Sequence, residues 1–525
     1  MDIFAGILYG FGVSLQHLNL LYCFLGVFVG TLVGVLPGIG PSGAMAILLP
    51  LTFGLPPATA IIMLAGIYYG VMYGGSTTSI LVNIPGEPSS VVTCLDGYQM
   101  AKKGRAGPAL GTAAFGSFIG GTFSLIALTF LAIPLAEAAL KFGPPEYVAL
   151  ICVSMTLLTY LARGSTVKAV IMILFGLILS CVGLDLVSGM PRFVFGSPSL
   201  LDGIGFVPLT MGLFGISEVL KNLQKPSEKF ILESRIKNLL PNLQDWRKSI
   251  GPITRGSFIG FFLGILPGGG GVLSSFVSYT VEKKLSRNPE AFGQGAIEGV
   301  AGPETSNNAG AGGAFVPLLA LGIPPNVVMA FLLGALIIHG VAPGPTLIGQ
   351  HPQIFWGVIA SMYLGNIMLL FLNLPLIGLW VKVLKVPYRV LMPLILLFCF
   401  IGAYSINNSV SDVIIMIVFG VVGYILRRFD YEEAPLVMAF ILGPMLEAAF
   451  RQSLIMSDGK FSIFLTRPIS AVALVISALL FISSGFSYYR KARSGARSHG
   501  SRLGQGQNPG VYSNTQKGGE PISGA

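Results

Sequence analysis

Gly30-Thr-Leu-Val-Gly-Val-Leu-Pro-Gly-Ile-Gly40 returns later in the chain as Gly260-Phe-Phe-Leu-Gly-Ile-Leu-Pro-Gly-Gly-Gly270, with the Leu-Pro-Gly core intact. Both stretches interrupt long apolar sequence. Proline removes a backbone donor and glycine permits tight turns, so we expect a helix to break at each stretch. An unpaired backbone group in hydrocarbon costs several kcal/mol, so such a break must be buried in protein or line a wet cavity.

The surrounding sequence is that of a membrane protein. Of 525 residues, 53% are hydrophobic and 10% are charged, whereas soluble domains carry about 25% charged residues. Uncharged runs long enough to cross a bilayer recur along the chain, among them 18–36, 169–184, 356–380, 413–426 and 471–486. We predict an all-α polytopic membrane protein with about twelve transmembrane helices in two repeats with broken or re-entrant helices.

The similarity between the halves extends beyond the two breaks. The polar stretch Gly70–Ser79 lies near the same offset as Gly299–Asn308, and Asn83-Ile-Pro-Gly86 matches Gly322-Ile-Pro-Pro325 if the second half carries an insertion. Two similar halves in a membrane protein are typical of transporters built from internal repeats.

The basic residues predict that the repeats are inverted. Lys102, Lys103 and Arg105 follow the first Ile-Pro-Gly motif, whereas 288–381 in the second half has no Lys or Arg. Conversely, a basic cluster follows only the second Leu-Pro-Gly motif, with Lys283, Lys284 and Arg287. Opposite charge bias at matching positions indicates opposite orientation, because basic loops face the cytoplasm.

The same reasoning divides the chain. We expect a first membrane repeat over 1–220, a cytoplasmic connector over 221–253, a second membrane repeat over 254–488 and a disordered cytoplasmic tail over 489–525. The connector fits either a helix lying on the membrane face or an ordinary solvated linker. The last apolar run ends in Tyr489-Arg-Lys-Ala-Arg493, which places the C-terminus in the cytoplasm. The net charge of +10 is thus spread over loops, and does not indicate nucleic-acid binding.

Each break is a candidate substrate site. Where a helix restarts, its free amide groups attract an anion, and Ser42 could cap the first restart. The alternative is a kink that serves packing alone. The residues predicted to bind substrate at the breaks are Gly38, Gly40, Ser42, Gly268, Gly269 and Gly270.

Polar clusters in apolar sequence supply further candidates. Hydroxyls and amides can donate to a carboxylate and can also ligate Na⁺. The alternative is interhelical hydrogen bonding, worth about 0.6 kcal/mol each in membranes. Predicted substrate-binding residues are Ser76, Thr77, Thr78, Asn83, Ser306, Asn307 and Asn308. For cation coupling we predict Glu304, Glu298 and Thr305, because an ionisable group within a membrane indicates function; Glu87 fits an aqueous loop as well.

The sequence lacks the motifs of several classes of enzyme. The sequence has no G-x-x-x-x-G-K-[ST] phosphate loop, no H-E-x-x-H and no G-x-S-x-G. We therefore predict no enzymatic activity, no cofactor and no metal site. An ion channel or an exporter without a binding-protein partner remains the alternative to a substrate importer.

Three strings carry a family resemblance: Gly34-Val-Leu-Pro-Gly-Ile-Gly-Pro41, Tyr73-Gly-Gly-Ser-Thr-Thr-Ser-Ile-Leu-Val-Asn-Ile-Pro-Gly-Glu87, and Gly264-Ile-Leu-Pro-Gly-Gly-Gly270 with Ala296-Ile-Glu-Gly-Val-Ala-Gly-Pro-Glu304. They resemble the large membrane subunit of tripartite tricarboxylate transporters over about 20–486. In that family the second polar cluster commonly reads Ala-Ala-Asn-Asn. The sequence Thr305-Ser-Asn-Asn308 therefore favours Asn307 and Asn308 over the two hydroxyl residues before them.

The resemblance implies ion-driven uptake of carboxylates such as citrate across the bacterial inner membrane. It implies symport with Na⁺ or H⁺. It also implies two protein partners: a small membrane subunit of about four spans, which lies in the lipid bilayer, and a periplasmic solute-binding protein.

Overall fold

The computed structural model describes residues 2–36, 39–161, 165–185, 188–223, 238–384, 386 and 388–483. Gly38, residues 224–237 of the predicted connector and the whole predicted tail lie outside these ranges, so the predicted domain boundaries stay a prediction.

The described chain is almost entirely helical. Its first part contains α1 Ile3–Ser14, α2 His17–Val35, α3 Gly40–Leu48, α4 Pro57–Val82, α5 Val91–Lys102, α6 Ala106–Ala139, α7 Pro144–Leu161, α8 Thr166–Ser180, α9 Phe206–Thr210 and α10 Ser217–Leu223, the last two joined by a π-helical stretch, Met211–Ile216. Its second part contains α11 Leu243–Ile265, α12 Gly270–Leu285, α13 Glu298–Gly313, α14 Phe315–Leu321, α15 Val327–Ile338, α16 Leu347–Gln350, α17 Pro352–Asn373, α18 Ile377–Val383, α19 Tyr388–Asn407, α20 Val410–Arg428, α21 Glu433–Met456, α22 Ile463–Thr466 and α23 Pro468–Ser483.

The remaining regular elements are short. The strands β1 Gly183–Leu184 and β2 Pro191–Arg192 pair antiparallel as a hairpin after α8. Single 3₁₀ turns occupy Leu49–Thr52, Pro88–Ser90, Pro198–Leu200 and Pro289–Ala291.

The predicted class, an all-α polytopic membrane protein, is confirmed. Within the described residues, eight helices are long and apolar enough to cross a membrane: α2, α4, α6, α7, α17, α19, α20 and α21. Five further apolar helices are shorter, such as α8 and α23. The eight full-length spans are fewer than the predicted number of about twelve.

Glycine rows join the first helices of each half. On α2, three glycines four residues apart lie against backbone carbonyls of α4, and on α11 three glycines with the same spacing lie against carbonyls of α13. Small residues allow helix backbones in membranes to approach this closely. The glycine and carbonyl pairs are Gly26 with Met63, Gly30 with Ile67 and Gly34 with Val71, and then Gly256 with Gly302, Gly260 with Ser306 and Gly264 with Gly310.

These rows fix the alignment of the halves. Gly322 lies as many residues after Asn83 as Gly310 lies after Val71. Asn83 and Gly322 each end their helix in the left-handed conformation, with φ of 57° and 72°. The predicted match between the Ile-Pro motifs therefore agrees with the structure. The two polar clusters, in contrast, are not equivalent, because in this register Ser76 matches Phe315.

Equivalent helices of the two halves run antiparallel. Tyr69 of α4 stacks on Phe315 of α14, with ring centroids 6.1 Å apart. Further along α4, Ser76 reaches back to Glu304 in α13. A helix and its repeat partner that run in opposite directions are the arrangement expected of inverted repeats.

Candidate functional site

The polar cluster of α4 faces the protein interior. Ser76, Thr77 and Thr78 are buried. The Thr78 hydroxyl donates to the Val35 carbonyl oxygen at 2.7 Å, which ties α4 to the last turn of α2 before its break. Ser79 Oγ lies 2.8 Å from Ser90 Oγ, beyond the break that ends α4. The cluster therefore holds together the two interruptions of the first repeat.

Glu304 is the centre of the first carboxyl cluster. Its side chain projects from α13 and is 1% exposed. Ser76 Oγ of α4 donates to Glu304 Oε2 at 2.5 Å, and the Thr93 hydroxyl of α5 donates to Oε1. Ser117 of α6 also lies beside the carboxyl. Three helices of the first half thus surround one acid of the second half.

Asn308 completes this cluster and leaves one atom unpaired. Its Nδ2 donates to Ser117 Oγ at 2.7 Å and to the Glu304 carbonyl oxygen at 3.1 Å. Its Oδ1 is buried and has no hydrogen-bond donor among the described residues. Because buried polar atoms are normally paired, this acceptor is available to a ligand beside Ser117.

Glu87 is the centre of the second carboxyl cluster. It follows the Ile-Pro-Gly break and is 3% exposed. Its Oε2 accepts from the Ser89 amide at 2.6 Å and from the Ser89 hydroxyl, and its Oε1 accepts from Asn307 Nδ2 at 3.1 Å. A Cβ added to Gly75 would lie 2.7 Å from Glu87 Cγ, so glycine gives the carboxyl its place beside α4.

The second break lies against this cluster. A Cβ on Gly271 would come 2.5 Å from Asn307 Oδ1, so the start of α12 touches the same amide that binds Glu87. The Gly268 amide donates to the Pro325 carbonyl oxygen at 2.8 Å, and the Gly269 amide donates to Leu266 at 3.0 Å. Of the three glycines predicted at this break, Gly268 and Gly269 therefore have protein partners for their amides. Gly268 and Gly270 have positive φ, 74° and 49°.

The other predicted residues at the first break lie elsewhere. Gly40, with φ of 64°, and Ser42 begin α3 and are partly exposed, and no side-chain hydrogen bond joins Ser42 to either carboxyl cluster among the described residues. Asn83 is exposed and ends α4 as its left-handed cap. Gly38 lies outside the described residues.

The three remaining predicted positions have different surroundings. The Thr305 hydroxyl donates to Ala301 in its own helix at 2.7 Å. The Ser306 carbonyl accepts from Ser274 at 3.1 Å, while its hydroxyl has no partner in the described part of the chain. Glu298 lies at the start of α13 and lines a separate charged groove of about 430 Å³.

Sequence reasoning missed three members of the site and undervalued a fourth. Thr93 and Ser89 bind the carboxyls and Ser117 binds Asn308, but each is a lone hydroxyl residue of the kind that is common on packed membrane helices. Ser89 and Thr93 follow the Ile-Pro-Gly motif directly, and this position was the available signal. Glu87 fitted an aqueous loop by sequence, whereas the structure buries it.

Chemically, the site offers two carboxyls among neutral donors. Neither Glu87 nor Glu304 forms an ion pair with a described Lys or Arg. No group of three or more His, Cys, Asp or Glu side chains gathers in the described ranges. Burial without a cationic partner makes an ionised carboxyl costly, and a proton or a bound cation removes that cost. The arrangement can therefore hold H⁺ or Na⁺, and neutral hydroxyls and amides remain for an organic anion.

Comparison with known proteins gives one family. The model of the tripartite tricarboxylate transporter TctA family matches residues 20–438. A protein of Agrobacterium vitis named as an uncharacterized 52.8 kDa protein in the TAR-I ttuC' 3' region is 52% identical over 476 residues, which is 91% of this chain and 95% of that protein.

A second relative from the same organism, named as an uncharacterized protein in the TAR-II ttuC' 3' region, is 55% identical over 223 residues. The match covers 42% of this chain and 92% of that protein. No solved structure matches.

Proposed function

Since the chain belongs to the tripartite tricarboxylate transporter TctA family, we propose that it is the large transmembrane subunit of a binding-protein-dependent secondary transporter. In this proposal it is not an enzyme. It imports carboxylates, citrate or a related organic acid, by symport with Na⁺ or H⁺.

The observation that carries the proposal is the buried Glu304 carboxyl. It belongs to the second repeat, yet Ser76 and Thr93 of the first repeat donate to it. Transporters with inverted repeats bind substrate and coupling ions where the repeats meet, near discontinuous helices. An acid within the membrane at that position supports ion-coupled transport over a passive structural role.

Neutral donors bind the substrate in this proposal. Ser76, Thr77 and Asn308 can donate to carboxylate oxygens without a cationic side chain. The cavity beside Ser76 and Thr77 is about 10 Å³, room for about one water molecule. A tricarboxylate therefore enters only after the surrounding helices move apart, as alternating access requires.

The family's tripartite organisation supports the remaining assignments. The partners are a periplasmic solute-binding protein, which delivers the substrate, and a small membrane subunit of about four spans. The multi-pass protein lies in the bacterial inner membrane with its C-terminus in the cytoplasm, since basic loops alternate along the chain as the positive-inside rule demands.

Uptake by the assembled system tests the proposal. Radiolabelled citrate and a panel of other carboxylates are offered to membrane vesicles that contain the transporter, with purified binding protein added or omitted. An inward Na⁺ gradient and an inward proton gradient are imposed separately. We expect uptake that requires both the binding protein and one of the gradients. Uptake that is independent of the binding protein would favour the channel or exporter, and no uptake of any carboxylate would reject the importer.

A further inference from the structure

We infer that each substrate molecule travels with at least two monovalent cations, one at Glu304 and one at Glu87, and that both cations bind before the substrate. The inference rests on the proposed function and adds the coupling ratio and the order of binding. Neither follows from the family match.

The two carboxyl clusters are close neighbours. Asn307 follows Glu304 by three residues on α13, a spacing that places both side chains on one helix face. Asn307 then donates to Glu87 at 3.1 Å. On α4, Ser76 binds Glu304 while the adjacent Gly75 touches Glu87. The carboxyls are therefore held by consecutive residues of α4 and by one face of α13.

No described cationic side chain neutralises the pair. The described buried acids that do have Arg partners lie elsewhere, such as Asp245 with Arg105 and Glu146 with Arg467. The other titratable groups that interact with the carboxyls are Tyr68, Tyr73 and Cys94, none of which is cationic. Two adjacent buried carboxylates repel each other, and each loses hydration on burial. Cations must therefore supply the missing positive charge.

The unpaired Asn308 oxygen is an independent sign of a ligand. It is buried, and the Nδ2 of the same amide donates to Ser117 Oγ beside Glu304. A cation at Glu304 could take oxygens from the carboxyl, from Ser76 and Thr93, and from Asn308. Na⁺ prefers such oxygen ligands; a proton instead resides on the carboxyl itself and turns it into a donor.

The order of binding follows from charge. An organic anion that approached two bare carboxylates would meet like charge on both sides in a site without Lys or Arg. Once cations occupy both carboxyls, the hydroxyl and amide donors can bind the anion without that repulsion. Linkage then requires the cations to raise the affinity for substrate and the substrate to raise the affinity for the cations.

Direct flux ratios test the coupling. The complete transporter is reconstituted in liposomes with its binding protein. Uptake of radiolabelled substrate is measured together with radiolabelled Na⁺ in one arm, and with a dye that reports proton entry in the other. We expect two or more cations to enter with each substrate molecule when the Na⁺ and proton counts are added together. A wild-type ratio of one would overturn the inference but leave symport intact, whereas no cation-driven uptake would reject the proposed function itself.

Variants assign the cations to the carboxyls. Glu87→Gln and Glu304→Gln should each lower the ratio by one, because glutamine keeps the shape of the side chain and removes its charge. Glu146→Gln, the same change at a buried acid that has an Arg partner, should leave the ratio unchanged. If a variant does not transport, the cations bound by the purified protein are counted by dialysis against radiolabelled Na⁺ or by proton uptake. An undiminished count in Glu87→Gln would overturn the assignment.

Discussion

At the scale of single residues, two neighbours on α13 should behave differently. Replacing Asn307 by Ala would leave Glu87 Oε1 and Ser89 with one partner fewer, and an unsatisfied buried group costs about 1–3 kcal/mol. We expect uptake to fall about tenfold or more at matched expression, because about 1.4 kcal/mol corresponds to a factor of ten.

Thr305→Val is the matched control. The Thr305 hydroxyl donates only to Ala301 of its own helix, and valine keeps the shape that packs against α6. Its uptake should stay within about twofold of wild type, because a lone membrane hydrogen bond is worth about 0.6 kcal/mol. Equal loss in both variants would contradict the site described above.

The sequence anticipated some of these residues through their chemistry. Ser76, Glu304 and Asn307 are polar in apolar surroundings, and the structure buries them in one region; their roles in binding stay a prediction. Thr93 and Ser117 could not be found this way. Their role comes only from the tertiary fold, which brings α5 and α6 against α13.

At the scale of helices, the glycine rows control how closely α11 approaches α13. A Cβ on Gly260 would overlap the Ser306 carbonyl oxygen, and overpacking costs about 1–3 kcal/mol. We expect Gly260→Ala to lower the melting temperature of the purified protein and to reduce uptake, because α13 carries the carboxyl site. The measurement is thermal unfolding followed by size-exclusion chromatography with fluorescence detection.

Gly12 of α1 provides the control for that change. An added Cβ there meets nothing within 4 Å, and alanine is the better helix former by about 1 kcal/mol. Gly12→Ala should therefore be neutral or slightly stabilising. If both alanine variants lose the same stability, close approach at Gly260 is not the cause.

The elements themselves were largely predictable. Proline and glycine chemistry located both breaks, between α2 and α3 and between α11 and α12, because backbone sterics act locally. The register between the halves was not fully predictable. By composition, Ser76–Ser79 aligns with Thr305–Asn308. The glycine rows instead align Ser76 with Phe315, through helix contacts that form only in the folded protein.

At the scale of the whole molecule, the two halves interlock. Helix α6 of the first half packs on α11 and α13, and α17 of the second half packs in return on α2 and α4. Each half therefore completes the surroundings of the other. The exchange explains why the Glu304 carboxyl of the second half takes its donors, Ser76 and Thr93, from the first half, and why neither repeat alone can form the site.

Inversion predicts on which side of the membrane two matching loops lie. Lys102 ends α5, and Gly349 lies in the short helix α16 that follows α15, the counterpart of α5; both positions are exposed. In a chain whose native cysteines are replaced, Lys102→Cys should react with an impermeant thiol reagent only from the cytoplasmic side, and Gly349→Cys only from the periplasmic side. Labelling of intact spheroplasts and of inverted vesicles distinguishes the two. If both cysteines react from one side, the repeats are parallel, and the inverted arrangement is wrong.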